Sequence, residues 1–332
     1  MSTPESPRPT HGDPVPDLRR RLRRSGDALP RASIGTVPIL WNDVDGEAGS
    51  PSAGPATILD EIARVGFEGT QLGTGFPEGA ELRAALTTRG LRLAEVYAAL
   101  PAGPAGPGED ALAVGREHLR MLHEGGGDVL CVALDGTPDR DRRAGRAAAA
   151  DTPRFDDGSW RDLAAILHTL ADETIAAGHR LSFHPHAGTY VETPAEVAQL
   201  VAHTDATVGI CLDVGHWLVG GGDPVDALRQ LGERVTHVHL KDVDPVVLAQ
   251  LTTGALPDFG SAIRARIFTE LGAGALDLLG CLRALDARDY DGWLMVEQDS
   301  SWSPPAEAAA IGRRVLAQAL AVVGAPNGDA GG

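Results

Sequence analysis

The chain has 332 residues, is 43% hydrophobic and carries a formal net charge of −17. That length suits one large α/β domain, and the acidity repels phosphate backbones, which argues against a nucleic-acid partner. No apolar run reaches membrane-span length, no secretory h-region is visible, and three cysteines without CxxC spacing speak against a disulfide framework or thiolate zinc site, so a cytoplasmic protein is expected.

Residues 1–30 are rich in Pro, Ser, Arg and Asp and lack an apolar period. They read as a disordered or loosely attached arm, whose basic patch Arg19 to Arg24 is expected to be a solvated turn or tail. From Ala32 the pattern alternates. Ser33 to Leu40 reads as a first strand ending at Trp41 to Asp45, and Pro55 to Val65 as a helix stopped by Gly66. Gly69 to Gly73 is a second strand, Ala80 to Arg89 a helix closed by Gly90, and Leu91 to Ala98 a third strand. A Pro/Gly loop (Pro101 to Gly108), a helix (Asp110 to Glu124) and a fourth strand (Asp128 to Leu134) follow.

The Arg-, Ala- and Asp-rich stretch Gly136 to Gly158 reads as a mobile rim loop, and Trp160 to Ala177 as an amphipathic helix. Arg180 to Phe183 is strand five. Thr193-Pro-Ala-Glu196 combines a cap, an N1 proline and a capping-box acid, and Asp223-Pro starts a further helix in the same way. Strand six lies between them at Val208 to Leu212, and strand seven is Arg234 to Leu240. Asp242 to Gly274 is a long insertion with helical patterns at Val246 to Leu251 and Ser261 to Phe268, as expected of a lid or substrate wall. A helix (Leu276 to Ala287), an eighth strand (Gly292 to Val296) and a last helix (Pro305 to Val323) complete the set, with 325–332 a frayed tail. Strands alternate with helices and no GxGxxG follows the first strand. A single-domain (β/α)8 TIM barrel over 31–324 fits better than a doubly wound dinucleotide fold.

In such a barrel the C-terminal strand ends open on one face, which carries the active site. Four neighbouring strands end in metal-competent groups: Leu181-Ser-Phe-His184-Pro-His186, Val208-Gly-Ile-Cys-Leu-Asp213, Val235-Thr-His237-Val-His239 and Trp293-Leu-Met-Val-Glu297. A single histidine here is more often a core residue bonded to a carbonyl. Four adjacent strand ends of this kind are better explained by one divalent ion on Asp213, His239, Glu297 and a fourth group, His184, His186 or Asp135. His216, three residues past Asp213, is placed to meet a metal-bound substrate. Lys241 either neutralises a substrate oxyanion or pairs with Asp242 or Glu297.

The chain resembles the xylose-isomerase-like sugar isomerase/epimerase superfamily, and within it the inosose (2-keto-myo-inositol) dehydratases, from about Ser33 to Leu316. The resemblance rests on Pro38-Ile-Leu-Trp-Asn-Asp43, Gly66-Phe-Glu-Gly-Thr-Gln-Leu-Gly73 with Phe76-Pro77, His184-Pro-His-Ala-Gly-Thr189 and Leu212-Asp-Val-Gly-His216. Gly221-Gly-Asp-Pro224, His237-Val-His-Leu-Lys-Asp242, Phe268-Thr-Glu-Leu-Gly, Tyr290-Asp-Gly-Trp293 and Val296-Glu-Gln-Asp299 extend it. It implies a Mn²⁺- or Co²⁺-type site (Mg²⁺ or Zn²⁺ as alternatives) on Asp213, His239 and Glu297. Most of the superfamily has a Glu ending strand five, where this chain has His184, as dehydratase-like members do. Gln71 stands where a Glu is common, and Ala273 where those members tend to have Asp.

The expected chemistry is metal-assisted proton abstraction beside the carbonyl of a keto-cyclitol or keto-sugar. His186, His216 or Glu297 would serve as base and Lys241 beside the developing oxyanion. Loss of a β-hydroxyl makes the enzyme a dehydratase; return of the proton makes it an isomerase or epimerase. A β-eliminating C-glycoside lyase would need a small accessory subunit, and a homo-oligomer is compatible with either. The rival from another class is a metal-free sugar-binding barrel, which the intact Asp213, His239 and Glu297 oppose. A phosphate-ester nuclease of the endonuclease IV kind would need a basic groove, against the net charge.

Overall fold

A computed structural model of the chain describes residues 26–42 and 51–325. The basic patch Arg19 to Arg24, Asp43 to Asp45 and the tail beyond Ala325 lie outside the described residues. Eight parallel strands close a barrel in the order β1-β8-β7-β6-β5-β4-β3-β2. They are β1 (Ser33–Thr36), β2 (Gly69–Gln71), β3 (Arg92–Leu100), β4 (Val129–Leu134), β5 (Arg180–Phe183), β6 (Gly209–Asp213), β7 (Val235–Leu240) and β8 (Trp293–Val296). The β1–β8 pairing, Ser33 with Trp293 through Thr36 with Val296, closes the ring. The expected (β/α)8 architecture is therefore the observed one.

The helices are α1 (Pro55–Val65), α2 (Gly79–Thr87), α3 (Ala111–Gly125), α4 (Asp157–Ala176), α5 (Pro194–His203), α6 (Val214–Val219) and α7 (Pro224–Leu231). They continue with α8 (Pro245–Thr253), α9 (Phe259–Arg264), α10 (Leu278–Asp286) and α11 (Pro305–Gly324). Local chemistry sets their starts. Thr193 and Glu196 form the full capping box of α5, and Asp223 accepts the Val225 and Asp226 amides before Pro224 opens α7. Among the described residues no helix is long and apolar enough to cross a membrane.

Two expectations need correction, and a third, the arm at 1–30, falls mostly outside the described residues. The first strand stops at Thr36, four residues short of Leu40, and Pro38–Trp41 forms a 3-10 turn. Pro38 has no N–H to give the ladder, so the chain leaves the sheet there. The expected arm is anchored at its end. The Ala28 amide donates to the Leu320 carbonyl, that of Leu29 to Asp286, and both side chains are buried. The stretch 136–158 contains a helical turn, Pro138–Asp141, and is pinned rather than mobile. Its Arg140 is fully buried and donates to both Glu196 oxygens at 2.8 and 3.0 Å and to the Pro153 carbonyl at 2.9 Å. Such a bidentate pair is strong because both charges are satisfied in a fixed geometry.

The main core lies between barrel and helices. A smaller cluster, including Val243, Leu251, Phe259, Ala262, Ile267 and Phe268, belongs to the insertion after β7. The insertion is folded: Asp242–Val243 pairs antiparallel with Phe268–Thr269. The Asp242 carboxylate accepts amides from Val243, Gly272, Gly274 and Leu276 at 2.8–3.1 Å. One carboxylate thus ties the start of the insertion to its return.

Backbone packing inside the barrel wall is tight at Gly209 of β6. A Cβ there would collide with the Thr236 hydroxyl and lie 2.9 Å from the Leu181 carbonyl oxygen. Thr236 is also held by Ser182 Oγ at 2.7 Å. Gly209→Ala is expected to destabilise the barrel by roughly 1–3 kcal/mol, the usual cost of overpacking. A urea midpoint equal to that of the parent protein would show that this wall yields.

Candidate active site

The closed ring brings residues far apart in sequence onto one rim. Asp213 ends β6 and lies in register with His239 of β7. Glu297 directly follows β8, and its amide donates to the Leu240 carbonyl. His184 directly follows β5. One donor atom from each of His184, Asp213, His239 and Glu297 lies within 4.8 Å of the others, and all four residues are buried or nearly so. Asp213 Oδ2 is 3.5 Å from His184 Nε2 and 3.9 Å from His239 Nδ1, and His239 Nδ1 is 2.6 Å from Glu297 Oε2. Of the three groups considered as fourth member, the geometry brings in His184. Asp135 is exposed, because β4 ends at Leu134 and carries it out to solvent.

This donor set fits a divalent cation. Asp213 Oδ2 is buried without a hydrogen-bond partner in the protein, and His239 Nδ1 and Glu297 Oε2 are buried with no partner but each other. Bonds of about 2.0–2.2 Å to nitrogen and oxygen would put cis donors roughly 3 Å and trans donors roughly 4.3 Å apart, within the observed spread. Two imidazoles with two carboxylates suit Mn²⁺, Co²⁺ or Zn²⁺ better than Ca²⁺, which prefers six to eight oxygens. Among the described residues two other groups also have donors within 4.8 Å of one another, Cys131–Cys211–His239 and Glu95–His237–His239. Burial first of all pushes both thiols up, so the cysteines stay protonated and behave as small apolar groups.

Lys241 sits beside this cluster, buried to 1% exposure. Its Nζ lies 2.7 Å from Glu297 Oε1, 2.8 Å from Asp299 Oδ1, 3.4 Å from Asp213 Oδ2 and 3.2 Å from His216 Nε2, above the Phe268 ring. The sequence left Asp242 and Glu297 as possible partners; the structure pairs Lys241 with Glu297, since the Asp242 carboxylate is taken by amides. Burial works against the charge on Lys241, but Asp213, Asp299 and Glu297 hold its pKa well above the ordinary value. Burial likewise works to raise Asp213 and Glu297. Lys241 with His216 and His184 holds Asp213 well below the carboxylate range, and Lys241 with His239 pulls Glu297 to about 2. For Asp299 burial wins, and with Glu297 adjacent the group rises to about 6.

His186 and His216 are placed differently. Their rings stack 3.8 Å apart against Phe259 of the insertion. His186 Nδ1 lies 2.7 Å from the Ala187 carbonyl, so it carries the proton and leaves Nε2 as the lone pair. Desolvation, with His184 and Lys241 nearby, pushes His186 down to about 3. His216 is buried; its Nδ1 accepts the Ala187 amide and its Nε2 faces Lys241. Burial and then His186 and Lys241 keep it neutral. The sequence reading put His216 against substrate, but both its nitrogens face protein groups.

A cavity of about 110 Å³ opens over the cluster, lined by Val37, Ile39, Gln71, Tyr97, His184, His186, His239, Glu297 and Asp299. Neither His216 nor Lys241 lines it. Three residues of this region were not singled out from sequence: Tyr97, Asp299 and Glu95. The available signals were an acid two positions past Glu297 and a lone carboxylate inside an otherwise apolar strand.

The fold and this rim define a (β/α)8 barrel with a cluster of metal-competent side chains at its C-terminal face, and comparison with known proteins places it in a family. The chain belongs to the xylose isomerase-like TIM barrel family, whose model it matches over residues 59–319. It is similar to an inosose dehydratase of Geobacillus kaustophilus (strain HTA426), 33% identical over 270 residues, covering 80% of this chain and 87% of that one. It is also 32% identical over 320 residues to the rhizopine catabolism protein MocC of Rhizobium meliloti, covering 90% and 91%. Among solved structures, an L-ribulose 3-epimerase superposes with a TM-score of 0.66 at 17% identity, covering 88% of this chain and 95% of that one. At that identity the likeness is one of fold. The chain is an enzyme.

Proposed function

We propose that the protein is a divalent-metal-dependent lyase that dehydrates an inosose-like keto-cyclitol, with Mn²⁺ the favoured ion. The observation that carries this reading is the cluster His184, Asp213, His239 and Glu297, open to a small cavity and flanked by a buried ammonium. Similarity to an inosose dehydratase supports the substrate class. His184, Asp213, His239 and Glu297 would hold the ion, which when bound polarises a carbonyl and acidifies the neighbouring C–H.

This chain's own residues supply the rest. The Lys241 ammonium, fixed among three carboxylates, lies behind Glu297 and Asp299 of the cavity wall and adds positive potential to the place where an oxyanion develops. His186 lines the cavity with Nε2 free to accept a proton, and Glu297, as a carboxylate with a second oxygen on Lys241, is the other candidate base. The low pKa of His186 in the closed pocket makes it a weak base in the resting site and a ready donor once charged. That suits returning a proton to a departing hydroxyl. His216 braces His186 and Lys241 and acts through them. Phe259 and Phe268 of the insertion pack against His186, His216 and Lys241 and keep these groups away from water. A cytoplasmic setting fits three buried free thiols.

The test is a panel of keto-inositols, ketohexoses and 3-keto-glycosides given to metal-stripped protein with and without added Mn²⁺. A keto-inositol should produce a new enone absorbance only with the ion. A changed isomer ratio without enone would replace this reading with an epimerase or isomerase. Equal turnover in the presence of excess chelator would remove the metal from it.

A further inference from the structure

We propose that Glu95 is the positioning residue of the candidate metal centre: it turns His239 so that Nδ1, not Nε2, faces the other three donors. This rests on the metal reading above. Glu95 lies in β3, four places around the ring from β7, so it reaches His239 from the opposite wall of the barrel. Its side chain is fully buried, and 144 residues of chain separate the two partners.

The chemistry of a carboxylate fixes the rest. An ionised carboxylate only accepts hydrogen bonds. Its contact with His239 Nε2 at 3.1 Å therefore places a proton on Nε2, so that when the ring gives up its other proton to become a ligand the lone pair is on Nδ1. That is the atom 2.6 Å from Glu297 Oε2 and 3.9 Å from Asp213 Oδ2. At 2.6 Å a second proton on Nδ1 bridges the two atoms in the metal-free chain, and a divalent cation would take that proton's place. Glu95 is also 2.8 Å from His237 Nε2 and accepts the Gln71 amide nitrogen at 3.1 Å. The last bond orients the Gln71 amide as well: one of its two N–H groups goes to Glu95, and its oxygen is an acceptor left for the cavity it lines.

Glu95, His237 and His239 are close enough to be read as a second ion site. That arrangement would need one imidazole to bind two ions, one on each nitrogen. A carboxylate on the far nitrogen of a metal-binding histidine is the commoner use of these groups.

The experiment is equilibrium binding of Mn²⁺ to the metal-stripped full chain, read from the EPR signal of the free aqueous ion. Wild type, Glu95→Ala, Glu95→Gln and His237→Asn are compared, with circular dichroism as the check of folding. Wild type should bind one Mn²⁺ per chain. Glu95→Ala should bind it about 10–100-fold more weakly, the usual loss when the partner of a ligating histidine is removed. Glu95→Gln, whose amide oxygen still accepts from Nε2, should lose less, and His237→Asn should stay close to wild type. A purely structural role for the buried acid would instead make His237→Asn weaken binding as much as the Glu95 variants. Folded Glu95 variants with wild-type affinity would overturn the proposal; where Glu95→Ala does not fold, Glu95→Gln against His237→Asn decides it. Two Mn²⁺ per wild-type chain would overturn it in favour of a second site. No Mn²⁺ on wild type would overturn the metal reading itself.

Discussion

Asp213→Asn is expected to lose its divalent ion and its turnover while keeping its fold. The two oxygens of Asp213 have separate jobs. Oδ1 accepts the Gly215 and His216 amides at 2.8 and 2.9 Å and caps α6. Oδ2 faces His184, His239 and Lys241 and has no hydrogen bond. Asparagine keeps an oxygen for the cap and puts an NH₂ where Oδ2 stood. An amide NH₂ is a donor and cannot ligate a cation. A Lewis-acid ion supplies several kcal/mol of charge stabilisation, so its loss should lower turnover by roughly 10³-fold or more. Asp213→Ala removes the cap too, and should lose about 1 kcal/mol of stability in addition. The checks are metal content by elemental analysis, thermal unfolding, and rate on the substrate found in the screen. An Asp213→Asn protein that retains both stoichiometric ion and rate would sink the assignment. His239→Ala should behave like Asp213→Asn toward metal and rate.

Much of this site was legible in the sequence because barrel geometry converts a one-dimensional pattern into a place. An apolar run followed by a polar group marks a strand's C-terminal end, and all such ends share one rim. Asp213, His239 and Glu297 follow that rule, and β6, β7 and β8 are neighbours in the ring. Asp135 follows the same rule in sequence and fails in space, since pattern alone does not say where a chain turns after its last sheet residue. Glu95 shows the opposite failure. It sits mid-strand, where the rule looks for apolar residues, and its partners come from the far wall. Only closure of the ring makes Glu95 and His239 neighbours. Arg140 was misjudged for a similar reason: an Arg-rich loop looks solvated until the buried Glu196, which also serves the α5 capping box, is seen to receive it.

Lys241→Met should separate the protein's own charge balance from that of the ion. Three carboxylates, on Asp213, Glu297 and Asp299, lie within 3.4 Å of the Lys241 ammonium in a buried pocket. Methionine keeps most of the apolar stem and its packing on Phe268, and removes only the charge. Removing one partner of a buried ionic group leaves the others uncompensated, which costs about 3–5 kcal/mol. The metal-stripped variant should therefore unfold at lower denaturant by that amount. Mn²⁺ should restore most of it, because the ion's charge replaces the ammonium and binding to the folded state alone stabilises it. Affinity for Mn²⁺ should be equal to wild type or tighter, since a competing cation is gone. Turnover should still fall by roughly 10²–10³-fold, as when one group facing a developing oxyanion is removed, with KM little changed. These outcomes are independent. A stable metal-stripped variant would mean that the carboxylates find protons instead of needing Lys241. A variant with full turnover would mean that Lys241 only holds the ligands, and the charge facing the substrate would then have to come from the ion alone.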